Sequence, residues 1–140
     1  MTAKEFLKQY EYAAKRIRRL EEELNDERLM IDSVRSVSDN DGLPHGSGIS
    51  KPVEERAIRL ADKLSELVQA RLDAIEIRRE VFEVVQKVDG VAGDVLFARY
   101  IKLMKWDDIS EAVNYSWKWT LHYHRIGLEK VSELLDEKTT

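Results

Sequence analysis

Both prolines of this chain and three of its six glycines fall within one stretch, residues 36–52, SVSDNDGLPHGSGISKP. Proline and glycine are the residues that interrupt helices most strongly. Their confinement to one place leaves two long unbroken runs, about 2–36 and 53–88. Each run steps its apolar residues by threes and fours, the period of an amphipathic helix. In the first run Phe6, Tyr10, Ala13, Ile17, Leu20, Leu24, Ile31 and Val34 make a narrow seam, broken where Glu27 turns inward. A seam that narrow, with charge on every other face, is the pattern of a coiled coil. In the second run Ala57, Leu60, Ala61, Leu64, Leu67, Val68, Ile75, Val81, Phe82, Val85 and Val88 make a wider stripe. Arg71 and Arg78 interrupt it, and Glu27 or another acid of a partner helix is expected to meet them. Two helices of about 50 Å each, at 1.5 Å per residue, joined by a flexible connector, fold back as an antiparallel hairpin. A lone two-helix hairpin buries little, so a homodimer through the same apolar surface is expected.

The chain beyond residue 88 has a different grain. Gly90 suits the C-terminal cap of the second long helix, and Asp94 the start of a short helix through Val95, Leu96, Tyr100 and Ile101. Residues 106–130, WDDISEAVNYSWKWTLHYHRIGLEK, then read as a short helix, a tight turn and a longer helix. Trp106, Ile109, Ala112 and Val113 share a face of the first. Asn114 tolerates a left-handed turn, and Ser116 can cap the next helix by accepting a backbone N–H. A buried stripe is expected through Thr120, Tyr123, Gly127, Val131 and Leu134, leaving Trp117, Lys118, Leu121, His122 and Arg125 outward. This is the plan of a helix-turn-helix that lays its second helix in a DNA groove. The candidate DNA-binding residues are Ser116, Trp117, Lys118, Leu121, His122 and Arg125. The whole is therefore expected to be all-α. Residues 1–88 would form a coiled-coil-like hairpin with its connector at 36–52, and residues 89–140 a three-helix helix-turn-helix domain.

The same residues carry a family resemblance. The segment is similar, without gaps, to the helix-turn-helix of region 4 of sigma-70-type factors, with Ile109, Val113, Asn114, Tyr115 and Ser116 on matching positions. The stretch VLFARYIKLMKWDDIS looks still more like the phage transcriptional regulators related to the autolysin regulatory protein. There a V-L-x-x-R-Y helix precedes W-x-x-I, then Y-S and a helix with a His and an Arg. Val95, Leu96, Arg99, Tyr100, Trp106, Ile109, Tyr115, Ser116 and His124 match that pattern, and the opening MTAKEFL also resembles it. The resemblance spans most of the chain. It implies a phage or prophage regulator acting on double-stranded promoter DNA, with host RNA polymerase as a further partner.

Composition narrows the alternatives. No cysteine occurs, which removes disulfides, thiolate chemistry and Cys-based zinc sites. No apolar run approaches the roughly 20 residues of a membrane span and no signal-peptide pattern opens the chain, so a cytoplasmic protein without membrane contact is expected. The net charge of −4 is unevenly placed: residues 99–130 hold six Lys/Arg against four Asp/Glu, leaving −6 for the rest. The weak basic bias thus coincides with the helix-turn-helix. Lys15, Arg16, Arg18 and Arg19 make a second basic cluster, but Glu21, Glu22 and Glu23 follow at pairing distance along the helix.

Catalysis has no foothold. His122 and His124 lie about 200° apart around a helix and cannot share a metal. Asp107 and Asp108 suit the dipole of a helix N-terminus. Neither a phosphate loop nor a nucleophile elbow occurs, so the expectation is a non-enzyme without cofactor or metal. Trp117 and Trp119 leave three readings open. One ring packs on the preceding helix while the other covers the domain edge; or Trp117 touches thymine methyls beside Lys118; or both anchor a protein partner, which would make the chain an adaptor using its Trp-rich face and its hairpin.

Overall fold

The computed structural model describes residues 1–39 and 51–139. Among them there is no strand, and the helices are α1 (Ala3–Asp39), α2 (Lys51–Val85), α3 (Gly90–Leu96), α4 (Trp106–Val113) and α5 (Trp117–Thr139). A π-helical turn, Phe97–Ile101, continues α3. The all-α expectation holds, with two long helices paired as a hairpin and shorter helices after them. The helices reach further into the expected connector than proline and glycine alone predict. α1 runs to Asp39, and α2 takes Pro52 into its first turn, where the missing N–H has no helical partner to lose. The rest of the connector, 40–50, lies outside the described residues.

The N-terminus of α1 is closed by a capping box. The Glu5 N–H donates to Thr2 Oγ1 (3.2 Å) while the Thr2 N–H donates to Glu5 Oε2 (3.1 Å). The chain groups into two compact units, one of Met1–Ala14 with Asp73–Thr140, the other of Lys15–Leu72.

In the first unit, Ala3 and Leu7 of α1 are buried with Val81, Val84, Val85 and Val88, with Ala92 and Leu96 of α3, and with Tyr100, Ile101 and Val131. The C-terminal helices therefore do not build their core from residues 89–140 alone; the start of α1 and the end of α2 contribute. A second cluster lies on the other side of α3, where Val95, Ala98 and Ile109 are buried against Trp106, Val113 and Tyr123. Alternate residues of α3 and its π-helical turn thus serve two cores. Close approach makes this fit possible. A Cβ on Gly93 would lie 2.0 Å from the Val88 carbonyl oxygen, and one on Gly127 would lie 2.8 Å from the Leu96 side chain. Gly90 differs from the expectation: α2 ends earlier, at Val85, and Gly90, with φ +75°, opens α3 rather than capping α2. α3 accordingly begins four residues before Asp94.

In the second unit the core is thin. Leu20 of α1 is buried with Leu67 and Ala70 of α2, flanked by half-buried Ile17 and Leu24. Arg71 finds its acid in Glu21 (2.8 Å) rather than Glu27, and Lys63 pairs with Glu23 (3.2 Å). The wide stripe expected on α2 divides. Leu60, Leu67, Ala70, Ala74, Ile77, Val81 and Val84 turn inward, whereas Leu64, Val68, Ile75 and Phe82 are exposed. Of the first-helix seam, Phe6, Tyr10, Ala13, Ile17, Leu20, Leu24 and Ile31 are all buried or half-buried, and the Val34 side chain lies outside the described ones.

Candidate nucleic-acid interface

The site rests on the connection between α4 and α5, which local chemistry fixes. Asn114 adopts φ +61°, ψ +41° as the C-cap of α4, a left-handed conformation that Asn accepts more readily than most residues. The Tyr115 N–H then donates back to the Ser110 carbonyl (3.2 Å). Ser116 Oγ accepts the Trp119 N–H (3.3 Å), as an N-cap does. Beneath the turn, the buried Ser110 hydroxyl donates to Thr120 Oγ1 (3.2 Å), and Thr120 Oγ1 donates to the Ser116 carbonyl (2.8 Å). This chain of hydroxyls pairs the buried polar side chains of the elbow and ties the first turn of α5 to α4.

The other end of α4 is held from the π-helical turn. Arg99 donates to the Met104 carbonyl (2.9 Å) and its guanidinium lies over the Trp106 ring, 4.9 Å from the centroid. Leu103 between them takes φ +57°. Trp106 also meets His124 of α5 edge-on (4.8 Å), so it occupies the core position expected of it. His124 Nε2 lies 2.6 Å from the hydroxyl of buried Tyr100. Burial, with Lys4 and Arg99 adding repulsion, pushes His124 down to about 4, so the ring is neutral and its Nδ1–H tautomer accepts a hydrogen bond from the Tyr100 hydroxyl at Nε2. Burial pushes the Tyr100 hydroxyl up to about 12, which keeps it a donor.

On the outer side of α5, Lys118, Leu121, His122 and Arg125 line one open depression of about 380 Å³. Lys118, Leu121 and Arg125 are exposed and His122 is half-buried. Arg125 Nη2 lies 3.2 Å from His122 Nδ1. A guanidinium only donates, so Nδ1 accepts, and a neutral His122 then carries its proton on Nε2 as a further donor. Ser116 is spent as a cap through its hydroxyl. Trp117 is half exposed (49%), and its indole N–H donates to Asp107 Oδ1 (2.7 Å) at the start of α4. That bond braces α5 against α4 and engages one of the two carboxylates of the α4 first turn.

Trp119, which the periodicity did not assign to the outer face, is also half exposed (51%). It stands edge-on to His122 (5.3 Å) and beside Tyr123 (6.4 Å), and Tyr115 packs on Tyr123 (5.2 Å). An aromatic ledge therefore borders the cationic depression. The sequence signal for it is the Trp117/Trp119 pair itself, which cannot both be buried against one core. Among the described residues no group of His, Asp or Glu is arranged to hold a metal ion, and no helix is long and apolar enough to cross a membrane. No family model matches the chain, and no curated protein or solved structure matches it either.

Proposed function

We propose that this chain is a DNA-binding transcriptional regulator of phage type that reads double-stranded DNA with α5. The observation that carries the proposal is the placement of Lys118, Leu121, His122 and Arg125 on one face of a helix whose first turn is locked to α4. A reading helix needs such a fixed start, because the base edges it meets lie at set positions in the groove. Lys118 and Arg125 reach phosphates or guanine edges, His122 donates to an acceptor, and Leu121 meets a thymine methyl. Promoter DNA is the primary partner in this reading, and host RNA polymerase and a second copy of the chain are further ones. The protein works in the cytoplasm and needs no cofactor.

An adaptor role is the rival reading, favoured by the half-exposed rings of Trp117 and Trp119, since exposed Trp is a frequent anchor of protein interfaces. Selection of bound fragments from the source genome, followed by titration of the selected duplex at several salt concentrations, separates the two. Groove binding predicts a log–log salt slope of about −0.9 per phosphate neutralised. Failure to retain any duplex at low salt would remove the DNA reading and leave the adaptor.

A further inference from the structure

The second compact unit carries more apolar surface outside than its core explains. On α2, Ile58, Leu64, Val68 and Leu72 are 62%, 50%, 49% and 56% exposed, and Ala61 and Ser65 between them are exposed as well. These residues follow one another at three- and four-residue steps, so they form one stripe along the helix. It is turned away from Leu67 and Ala70, which face Leu20 of α1. The four large side chains leave roughly 400 Å² uncovered, within the size range of the largest apolar patch on a typical single chain, which is often functional.

We infer that this stripe is the docking surface for the same stripe on a second copy of the chain, the two α2 helices running antiparallel across Ser65. The pattern is self-complementary, as a two-fold interface requires. About a centre at Ser65, Ile58 lies opposite Leu72 of the second copy, and small Ala61 falls within one residue of the position opposite Val68. Small Ser65 sits at the crossing, where two helices approach most closely. Two such stripes bury roughly 800 Å² of apolar surface. With the side chains that flank them, they approach the 1,200–2,000 Å² of a stable pair. Two of the charges beside the stripe, Arg71 and Lys63, are already held by Glu21 and Glu23 of their own chain. Pairing makes four helices of two and supplies the second half of a core that Leu20, Leu67 and Ala70 only begin. This inference deepens the pairing of copies in the proposed function, but it rests on the stripe alone and is tested without DNA.

The test uses the full-length chain in sedimentation equilibrium. Wild type is expected to be a dimer at micromolar concentration. Leu64→Glu with Val68→Glu should raise the dissociation constant at least 100-fold while circular dichroism keeps its helical signal, because both positions are exposed. Because the chain has no cysteine, single-cysteine variants report the orientation directly. Oxidation should join Ser65→Cys chains efficiently. It should join Ala61→Cys chains poorly, since antiparallel copies of residue 61 lie about 12 Å apart along the axis. A monomeric wild type, or equal cross-linking of Ala61→Cys and Ser65→Cys, overturns the inference. Loss of DNA binding by an α5 variant that still dimerises leaves it standing.

Discussion

The two compact units solve the problem of helix packing differently. Among the described residues, Met1–Ala14 with Asp73–Thr140 buries eleven residues in one cluster and three more in a second, while Lys15–Leu72 buries three in its cluster. In the first, α3 is clasped on two sides, and glycines at 93 and 127 allow close approach to the Val88 backbone and the Leu96 side chain. In the second, two helices meet along a single seam, and large apolar residues remain outside. A packed unit holds its surface residues at fixed positions, which recognition of a duplex requires. A thinly packed pair has low stability of its own, which any partner that binds only the folded form would raise.

The largest expected effect comes from cutting the chain at residue 89, inside the packed unit. A fragment of residues 89–140 lacks Ala3, Leu7, Val81, Val84, Val85 and Val88, and should show no cooperative thermal transition by circular dichroism. A sharp transition from that fragment would mean that the long helices merely lean on a self-sufficient head. Next in size, Leu7→Ala, at a fully buried position, should destabilise the head by about 2–5 kcal/mol although it lies near the opposite end of the sequence from the candidate site. Leu67→Ala should fall at the low end of that range, since fewer neighbours surround it. Equal losses at the two positions would erase the contrast between the units.

A smaller loss is expected at the elbow. Ser116→Ala removes the hydroxyl that accepts the Trp119 N–H and should cost about 1 kcal/mol in thermal unfolding. Smaller still is a pH effect centred on His124, which keeps part of its surface in solvent. Its folded value of about 4 lies below the ordinary 6.5, so between those values the unfolded chain binds a proton that the folded chain refuses. Stability should therefore fall as pH drops from about 6.5 to about 4, with no further loss from this group below that. Replacing His124 by Gln should flatten that part of the stability–pH curve.

The elements legible in the sequence are those set by near neighbours. Asn114 and Ser116 announce the turn because left-handed backbone and hydroxyl capping are properties of single residues. The shared face of Lys118, Leu121, His122 and Arg125 follows from helical period alone. What the sequence hid depends on distant partners. Periodicity cannot say that Leu7 packs beside Val81, nor that the apolar residues of α2 divide between two faces. It gives no sign that Gly93 lies against the Val88 carbonyl, or that Asp107, which looks like a helix-dipole residue, holds the Trp117 indole. The end of α1 shows the same limit: residues 36–39 look like linker, yet the helix continues through them.

The central claim is that α5 reads duplex DNA from a rigid mount. Its most direct test is the affinity of the chain carrying Lys118→Ala, His122→Ala and Arg125→Ala together, measured against the selected duplex across a range of salt. These side chains point away from the core, so thermal unfolding should stay close to wild type. Removing a side chain that reads a base should cost about 1–3 kcal/mol on the selected duplex, and removing one that binds a phosphate should flatten the salt slope by about one unit. A stable triple variant that binds the duplex like wild type, with the same slope, would contradict the claim.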